Sequence, residues 1–484
     1  MFKLKIPIKA GKLITLCLML NSAFLCAQDS WSLERCVAQA QENSRLVKQS
    51  QIQIKNAKLT QKQNEYERYP SVSASSNLGF NFGRSVNPST YSFENSTTNY
   101  NSWGLNARAI LYNGGRINNQ IKQGAVDVQA AQADLEQAAS SIGLQVAQAY
   151  LQILLYDEQL ENARKRLLTA QSQLDRTEKQ IKAGQLAPTA RYDLIAQVAR
   201  DEQAVVSSSN NVEIGILNLK NLLELSPETA FKIEKPNIVI PSDANPDGFM
   251  FRAVYNQALT TQPQIKAAEY RIKSAEIGVK VAEANLLPSL SVSGGINSNY
   301  SSTIRDFTKG TVVIREPSEI VKINGLPATI IYSRPDVKDS PRKSYGSQLG
   351  DNFGQGIGLN LSIPIFDGLR NQIGVQRQKL NVESQMLTLD REKQTLKSDV
   401  QNAIASAKAA RKQFQAAQKS YDAQKAAYDA VDKRIQIGNA NSFELTLAKN
   451  NMDTAQGDLT VAKYDYLFRL KIVEFYEGKK LSLK

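Results

Sequence analysis

Residues 113–184 read NGGRINNQIKQGAVDVQAAQADLEQAASSIGLQVAQAYLQILLYDEQLENARKRLLTAQSQLDRTEKQIKAG. Between the turn Asn113-Gly114-Gly115 and Gly184, the pattern predicts one helix from Arg116 to Ala183. Apolar or small residues recur every seven positions at Ile121, Val128, Leu135, Ile142, Ala149, Tyr156, Ala163 and Ala170. A companion row runs through Ala139, Val146, Ile153, Leu160, Leu167, Leu174 and Ile181. A sustained seven-residue period predicts a seam that winds against partner helices in a left-handed supercoil, not the covering of a globular core. At about 1.5 Å per residue such a helix extends for roughly 100 Å.

The design occurs twice. Asp367-Gly368, Arg370 and Gly438 each stand 254 positions after Asn113-Gly114, Arg116 and Gly184. The second rod carries its own rows at Val400, Ala407, Phe414, Tyr421, Tyr428 and Ile435, and at Leu389, Leu396, Ala403, Ala410 and Ala417. A repeat this long implies one large unit built twice.

Composition narrows the class. Residues 1–27 hold Lys3, Lys5, Lys9 and Lys12, then an apolar run from Leu13 to Leu25, then Leu25-Cys26-Ala27, which predicts a secretory signal cut after Ala27. The mature chain then keeps one cysteine, Cys36, and has no histidine, so a disulfide framework and the commonest catalytic base and metal ligand are absent. The pattern predicts neither an enzyme nor a cofactor. The formal charge is +13, with cations and anions interleaved along the helices as in Glu161-Asn162-Ala163-Arg164-Lys165-Arg166. Solvated helix faces explain this better than a nucleic-acid patch. No continuous apolar run of membrane length follows the signal, so membrane contact falls to strands.

Strands are indeed spelled out. After Pro70, which ends the first helical segment, Val72, Ala74, Ser76, Leu78, Phe80 and Phe82 alternate with Ser71, Ser73, Ser75, Asn77, Gly79 and Asn81. Trp103, Leu105, Ala107, Ala109 and Leu111 alternate with polar residues in a second strand, after a polar loop from Gly83 to Asn101. The second half repeats the scheme. After Pro288, Leu290, Val292, Gly294 and Ile296 form one apolar row, and Ile357, Leu359, Leu361, Ile363 and Ile365 another. Their length suits a membrane-crossing strand of about 9–11 residues. Four strands leave open edges that lipid cannot satisfy, so the chain is expected to oligomerise to close its wall.

The resulting organisation is a signal (1–27), a helical segment (28–69), a strand pair (70–112) and a long hairpin (113–226) with its tip at Gly184. A connector (227–250) and a helix (251–287) follow, then a second strand pair (288–366) carrying a polar, outward-facing loop (300–351). A second long hairpin (367–477) with its tip at Gly438 and a tail (478–484) complete the chain.

This order, with the stretch Ile437-Gly438-Asn439-Ala440-Asn441-Ser442-Phe443-Glu444-Leu445 and Ala462-Lys463-Tyr464-Asp465-Tyr466-Leu467, resembles the outer-membrane efflux proteins of the TolC type over essentially the whole mature chain. The resemblance implies a mainly α fold with a membrane β-barrel: a homotrimer whose 12-stranded barrel lies in the outer membrane of a Gram-negative bacterium and continues as a helical tunnel in the periplasm. It implies a passive channel for drugs, other small molecules or secreted proteins, supplied by a periplasmic adaptor and an inner-membrane transporter. It places adaptor docking at the tips, Gly184-Gln185 and Gly438-Asn439, although the same glycines also serve as ordinary helix stops. It sets Glu444, with Asp193 as a counterpart, at a cation-attracting periplasmic entrance; a helix-start acid favoured by the dipole is the plainer reading of Glu444. Where the family pattern closes that entrance with an arginine and a tyrosine, this chain has Ala440 and Ile435. The alternative is an exported structural coiled coil or adhesin, which needs neither matched prolines at strand entries nor four strands of membrane length.

Overall fold

The computed structural model describes residues 30–86, 93–236, 246–309, 312–315, 320–329, 332–335, 340–437, 439–440 and 442–479. The expected signal and the expected tip residue Gly438 lie outside them. In chain order the elements are α1 (Leu33–Asn43), α2 (Arg45–Tyr66), β1 (Ser71–Val86), β2 (Phe93–Asn113), α3 (Arg116–Lys182), α4 (Ala190–Leu222), α5 (Phe251–Thr261) and α6 (Pro263–Glu283). There follow β3 (Ser289–Ser301), β4 (Val312–Arg315), β5 (Ile320–Ile323), β6 (Leu326–Thr329), β7 (Tyr332–Pro335), α7 (Tyr345–Asp351), β8 (Gly354–Ser362), α8 (Arg370–Gln436) and α9 (Ser442–Tyr476). The two long helices, α3 and α8, have 67 residues each.

Both begin with the same device. The side chain of Asn113 accepts from the Ile117 amide at 3.5 Å, and that of Asp367 accepts from the Asn371 amide at 2.9 Å. Each is a side-chain cap on amides that have no partner within the helix. The chain enters α3 through Gly114 (φ +65°) and Gly115 (φ +82°), and α8 through Gly368 (φ +68°) and Leu369 (φ +66°). Leucine in that left-handed region carries a strain of roughly 1–2 kcal/mol that glycine avoids.

By chain contacts the protein falls into two units. The first, helical in its described residues, is drawn from residues 30–57, 127–272 and 384–479. One of its cores gathers Ile142, Val146, Tyr150, Ile153 and Leu154 of α3 around Leu33, Cys36 and Ala40 of α1, with Leu219, Leu223 and Leu467. These α3 residues include the predicted heptad positions. Toward the tip, Leu167, Leu174 and Ile181 of the same rows are only half-buried. One 18-residue window of α3 is apolar enough by average composition to cross a bilayer, but half of it is buried here, as in a core helix. A second core packs Val254, Ala258 and Ile265 against Leu396, Val400, Ile404 and Ala407 of α8 and Val473 of α9.

A small polar clasp ties the connector to the chain start. Trp31 and Ile233 form a parallel bridge, and the buried Tyr150 hydroxyl lies 2.7 Å from the Glu234 carbonyl and 3.0 Å from that of Trp31. Burial raises the affinity of this phenol for its proton.

The second unit, residues 58–126 and 273–383, holds a four-stranded antiparallel sheet in the order β1-β2-β3-β8. Strands β1 and β2 are 16 and 21 residues long, so the segment expected as a loop from Gly83 to Asn101 is mostly paired strand. The final apolar pair, Ile363 and Ile365, lies past the end of β8. The expected loop 300–351 contains the ribbons β4–β7 and β5–β6 and the helix α7. Asn324-Gly325 (φ +54° and +82°) turns β5 into β6, as expected of a two-residue hairpin loop. Two expected helices are broken: the first at Ser44, and that of 251–287 at Gln262, where Pro263 forbids helical geometry before it.

Gly114 carries two constraints at once. A Cβ there would meet the Ala284 carbonyl at 2.7 Å and Leu287 Cβ at 2.8 Å, whereas one on Gly115 meets nothing within 4 Å. Gly114→Ala is therefore expected to cost on the order of 2–4 kcal/mol, and Gly115→Ala only the backbone strain of about 1–2 kcal/mol; thermal unfolding of the two variants separates them. The thiol of Cys36 is buried and its pKa is pushed up by desolvation to about 12. At pH 8 the thiolate is scarce, so a disulfide-exchange reagent should label the native protein more than about a hundredfold more slowly than the denatured chain.

Candidate functional site

Two features stand out: the exposed face of the sheet and the turns at the ends of the long hairpins. In an antiparallel pair, directly opposed residues point to the same face. Register therefore decides whether the four alternating patterns agree. Val72 faces Ala107, Ala107 faces Gly294 and Gly294 faces Ile357; Ala74, Leu105 and Ile296 form the next row, and Ala109, Val292 and Leu359 another. All four apolar rows fall on one side. That side is open: Leu78 is 67% exposed, Phe82 79%, Ile357 85% and Leu359 71%. The opposite side carries Ser73, Asn106, Gly295 and Gly356 in one row and Ser71, Arg108, Ser293 and Gly358 in the next.

One residue departs from the predicted parity. The register shifts between Ile110 and Tyr112, so that Tyr112 pairs with Leu290 and Leu111 has no opposite number. A bulge of this kind re-aims the residues after it. Tyr112, not Leu111, takes the apolar-face position.

On the apolar face, where β3 ends, three aromatic residues meet. Trp103 Nε1 donates to the Tyr345 hydroxyl at 2.8 Å, that hydroxyl donates to Asn101 Oδ1 at 2.5 Å, and the rings of Tyr300 and Tyr345 lie 4.9 Å apart. Tyr345 opens α7, which is anchored by the buried Gln348. Its amide nitrogen donates to the carbonyls of Ser301 and Lys343, and its oxygen accepts from the Ser301 amide.

At the first tip α3 ends in a left-handed Gly184 (φ +72°). The Gly184 amide bonds to the Ile181 carbonyl at 3.0 Å and that of Gln185 to the Gln180 carbonyl at 2.9 Å, which is the Schellman arrangement. At the second tip the Asn439 amide bonds to the Arg434 carbonyl at 2.8 Å, the counterpart of the Gln185 bond 254 positions on. Here a further clamp is present: the Arg434 guanidinium donates to the Asn439 carbonyl at 3.0 Å and lies 3.2 Å from the Glu444 carboxylate. The corresponding positions of the first tip hold Gln180 and Ala190. Glu444 stands in the first turn of α9 and Asp193, exposed, in the first turn of α4. Ala440 lies within the second turn and Ile435 near the end of α8. Among the described residues no group of three histidine, cysteine, aspartate or glutamate side chains is placed to hold a metal ion.

The sequence pattern of the outer membrane efflux proteins matches residues 36–223 and 254–471. The chain belongs to the outer membrane efflux protein family. It is 22% identical over 284 residues to a probable outer membrane lipoprotein, SilC of Salmonella typhimurium, and 27% identical over 165 residues to the outer membrane protein TolC of Salmonella enteritidis. The matches cover 58% and 32% of this chain, and 58% and 34% of those two relatives. Among solved structures it is similar to CusC (TM-score 0.70, 16% identity, 93% of both chains) and to the outer membrane protein VceC of Vibrio cholerae (TM-score 0.68, 16% identity, 92% of this chain and 96% of that one). It is also similar to the outer-membrane channel OprN (TM-score 0.68, 18% identity, 93% of this chain and 91% of that one). This outer membrane efflux protein thus has the mainly helical fold of TolC-like channels and belongs in the outer membrane. Its family and fold are those of channels, not of enzymes.

The Arg434–Glu444 pair is half-exposed on both sides, so it contributes at most about 1 kcal/mol. Arg434→Ala should raise limited proteolysis at the second tip by no more than about fivefold and leave cleavage at the Gly184 tip unchanged, as read by mass spectrometry of the fragments.

Proposed function

We propose that this chain is one third of a trimeric exit duct. Three four-stranded sheets close as a 12-stranded barrel in the outer membrane, and the helical hairpins continue it as a tunnel in the periplasm. The observation that carries this reading is the sheet itself. Among the described residues, strands β1 and β8 each have one unpaired edge, and all four strands turn their apolar rows to one exposed face. Unpaired edges are not tolerated in lipid, so a spanning sheet must close on itself or on copies of itself.

The duct conducts passively. In this reading a periplasmic adaptor docks at the tips, Gly184-Gln185 and Gly438-Asn439, and an inner-membrane transporter supplies the driving force and the substrates. Glu444 and Asp193 contribute negative potential to the periplasmic entrance, repeated by the symmetry of the trimer. Arg434 tempers that potential at Glu444, because its guanidinium sits beside the carboxylate. With Ala440 and Ile435 in place of a polar lock, closure of the entrance rests on packing.

Purified protein in a planar bilayer tests the duct. Discrete conductance steps with a preference for cations are expected, and Glu444→Gln should reduce that preference without abolishing conductance. Reversal potentials in asymmetric salt give the measurement. A water-soluble monomer that never raises bilayer conductance would point instead to an exported coiled coil.

A further inference from the structure

In the first unit, α3 and α9 are joined through Asn162, Gln456 and Thr460, and each of the two helices also buries alanines at heptad spacing. Ala163 and Ala170 on α3, and Ala455 and Ala462 on α9, are all buried. Each pair is spaced by seven residues. A shift of α9 by one heptad, about 10 Å along its axis, therefore sets alanine again where alanine was. Buried alanines repeated in this way fix the register weakly by themselves.

One layer of the same region is charged. Lys449 (4% exposed) and Asp453 (9%) lie a turn apart on α9, and Gln197 (8%) and Asp201 (7%) a turn apart on α4. The Asp201 carboxylate accepts from Gln197 Nε2 at 3.1 Å, and Gln197 Oε1 accepts from Arg200 at 2.7 Å. Asp453 lies in the field of Lys449 on its own helix, of Arg166 on α3 and of Asp201 on α4, and burial holds its carboxyl above the usual range despite the two cations. Tyr428 of α8 lies in the field of the same carboxylate. Lys449 Nζ and Arg166 Nε are buried without a hydrogen-bond partner. Close by, Asn162 of α3 donates to Thr460 Oγ1 at 3.4 Å and accepts from Gln456 Nε2 at 3.1 Å, binding α3 directly to α9.

Burying ions costs several kcal/mol apiece, and well-packed apolar residues of similar volume often hold helices together as firmly or more so. Buried polar groups are better attested as devices that select one register out of several. This layer is suited to that role. Its charges come from three helices, and shifting α9 by a heptad would separate Lys449 and Asp453 from Arg166 and Asp201 and leave buried charge without compensation.

We propose that Arg166, Asp201, Lys449 and Asp453 form a register key that fixes the axial position of α9 on α3 and α4, and with it the position of the second hairpin tip relative to the first. The register is a property of a single chain; its consequence for conduction rests on the duct reading.

The test uses exported protein freed of residues 1–27 and carrying Cys36→Ala, with spin labels on cysteines introduced at Gln185 and Asn439, reconstituted with excess unlabelled protein. Pulsed dipolar spectroscopy should give one narrow distance distribution for the parent and for Lys449→Arg. Lys449→Leu combined with Asp453→Leu removes one charge of each sign and leaves the opposite charges of Arg166 and Asp201 in place. It should add a second population of about 10% or more while its thermal midpoint stays equal or rises. If that variant fails to fold, substitution of all four residues by leucine, which leaves none of the four charges behind, carries the same test. A single unchanged distance in the leucine variant overturns the register key. In bilayers the leucine variant should show several conductance levels where the parent shows one. A parent that never conducts counts against the duct and leaves the spin distances to decide the register.

Discussion

A β-strand edge in hydrocarbon leaves its amide and carbonyl groups with nothing to bond to, at several kcal/mol for each group. In the duct proposed above, that constraint shapes the protein more than any other. A sheet of four strands cannot meet it alone, because β1 and β8 each keep an unpaired side. The helical parts meet the same demand internally, since a helix satisfies its own backbone except at its ends. Those ends are treated individually: Asn113 and Asp367 cap the starts of α3 and α8, a left-handed Gly184 closes the first tip, and the Asn439 amide meets the Arg434 carbonyl at the second.

Agreement between the strands follows from register. Each strand taken alone alternates in a way that a soluble sandwich would also show. Pairing Val72 with Ala107, and Gly294 with both Ala107 and Ile357, makes the four patterns coincide on one face. A slip of one residue in any pair would turn that strand's apolar row to the polar side. The bulge near Leu111 makes such a slip locally, next to the joint with α3, and brings Tyr112 into the row.

Much of this was legible in the residues. The seven-residue rows of α3, the prolines at 70 and 288, and the 254-residue spacing between the two halves identify rods and strands without coordinates. The bulge was hidden because Leu111 continues the alternation in type, and only pairing with β3 shows that Tyr112 replaces it. The ribbon β5–β6 did leave a sign in Asn324-Gly325, but it sits in a polar stretch whose prolines suggest a loop. Arg434 looked like one more cation on a solvated helix. Its role comes from a turn that brings residues 434, 439 and 444 together, and helical spacing does not reveal that. Lys449 and Asp453 were hidden for a similar reason: one turn apart on α9, they read as an ordinary surface pair until three other helices surround them.

The repeated architecture is not identical at its joints. Gly114 and Gly115 pass from strand to rod in the first half, whereas Gly368 is followed by Leu369 with its backbone on the left-handed side. A glycine pair has many conformations of nearly equal energy, and a leucine has few. The first connection is therefore intrinsically pliant and the second comparatively stiff. Two copies of one ancestral plan have in this way become mechanically distinct, and bending forces applied to the two rods should meet unequal resistance where each is attached.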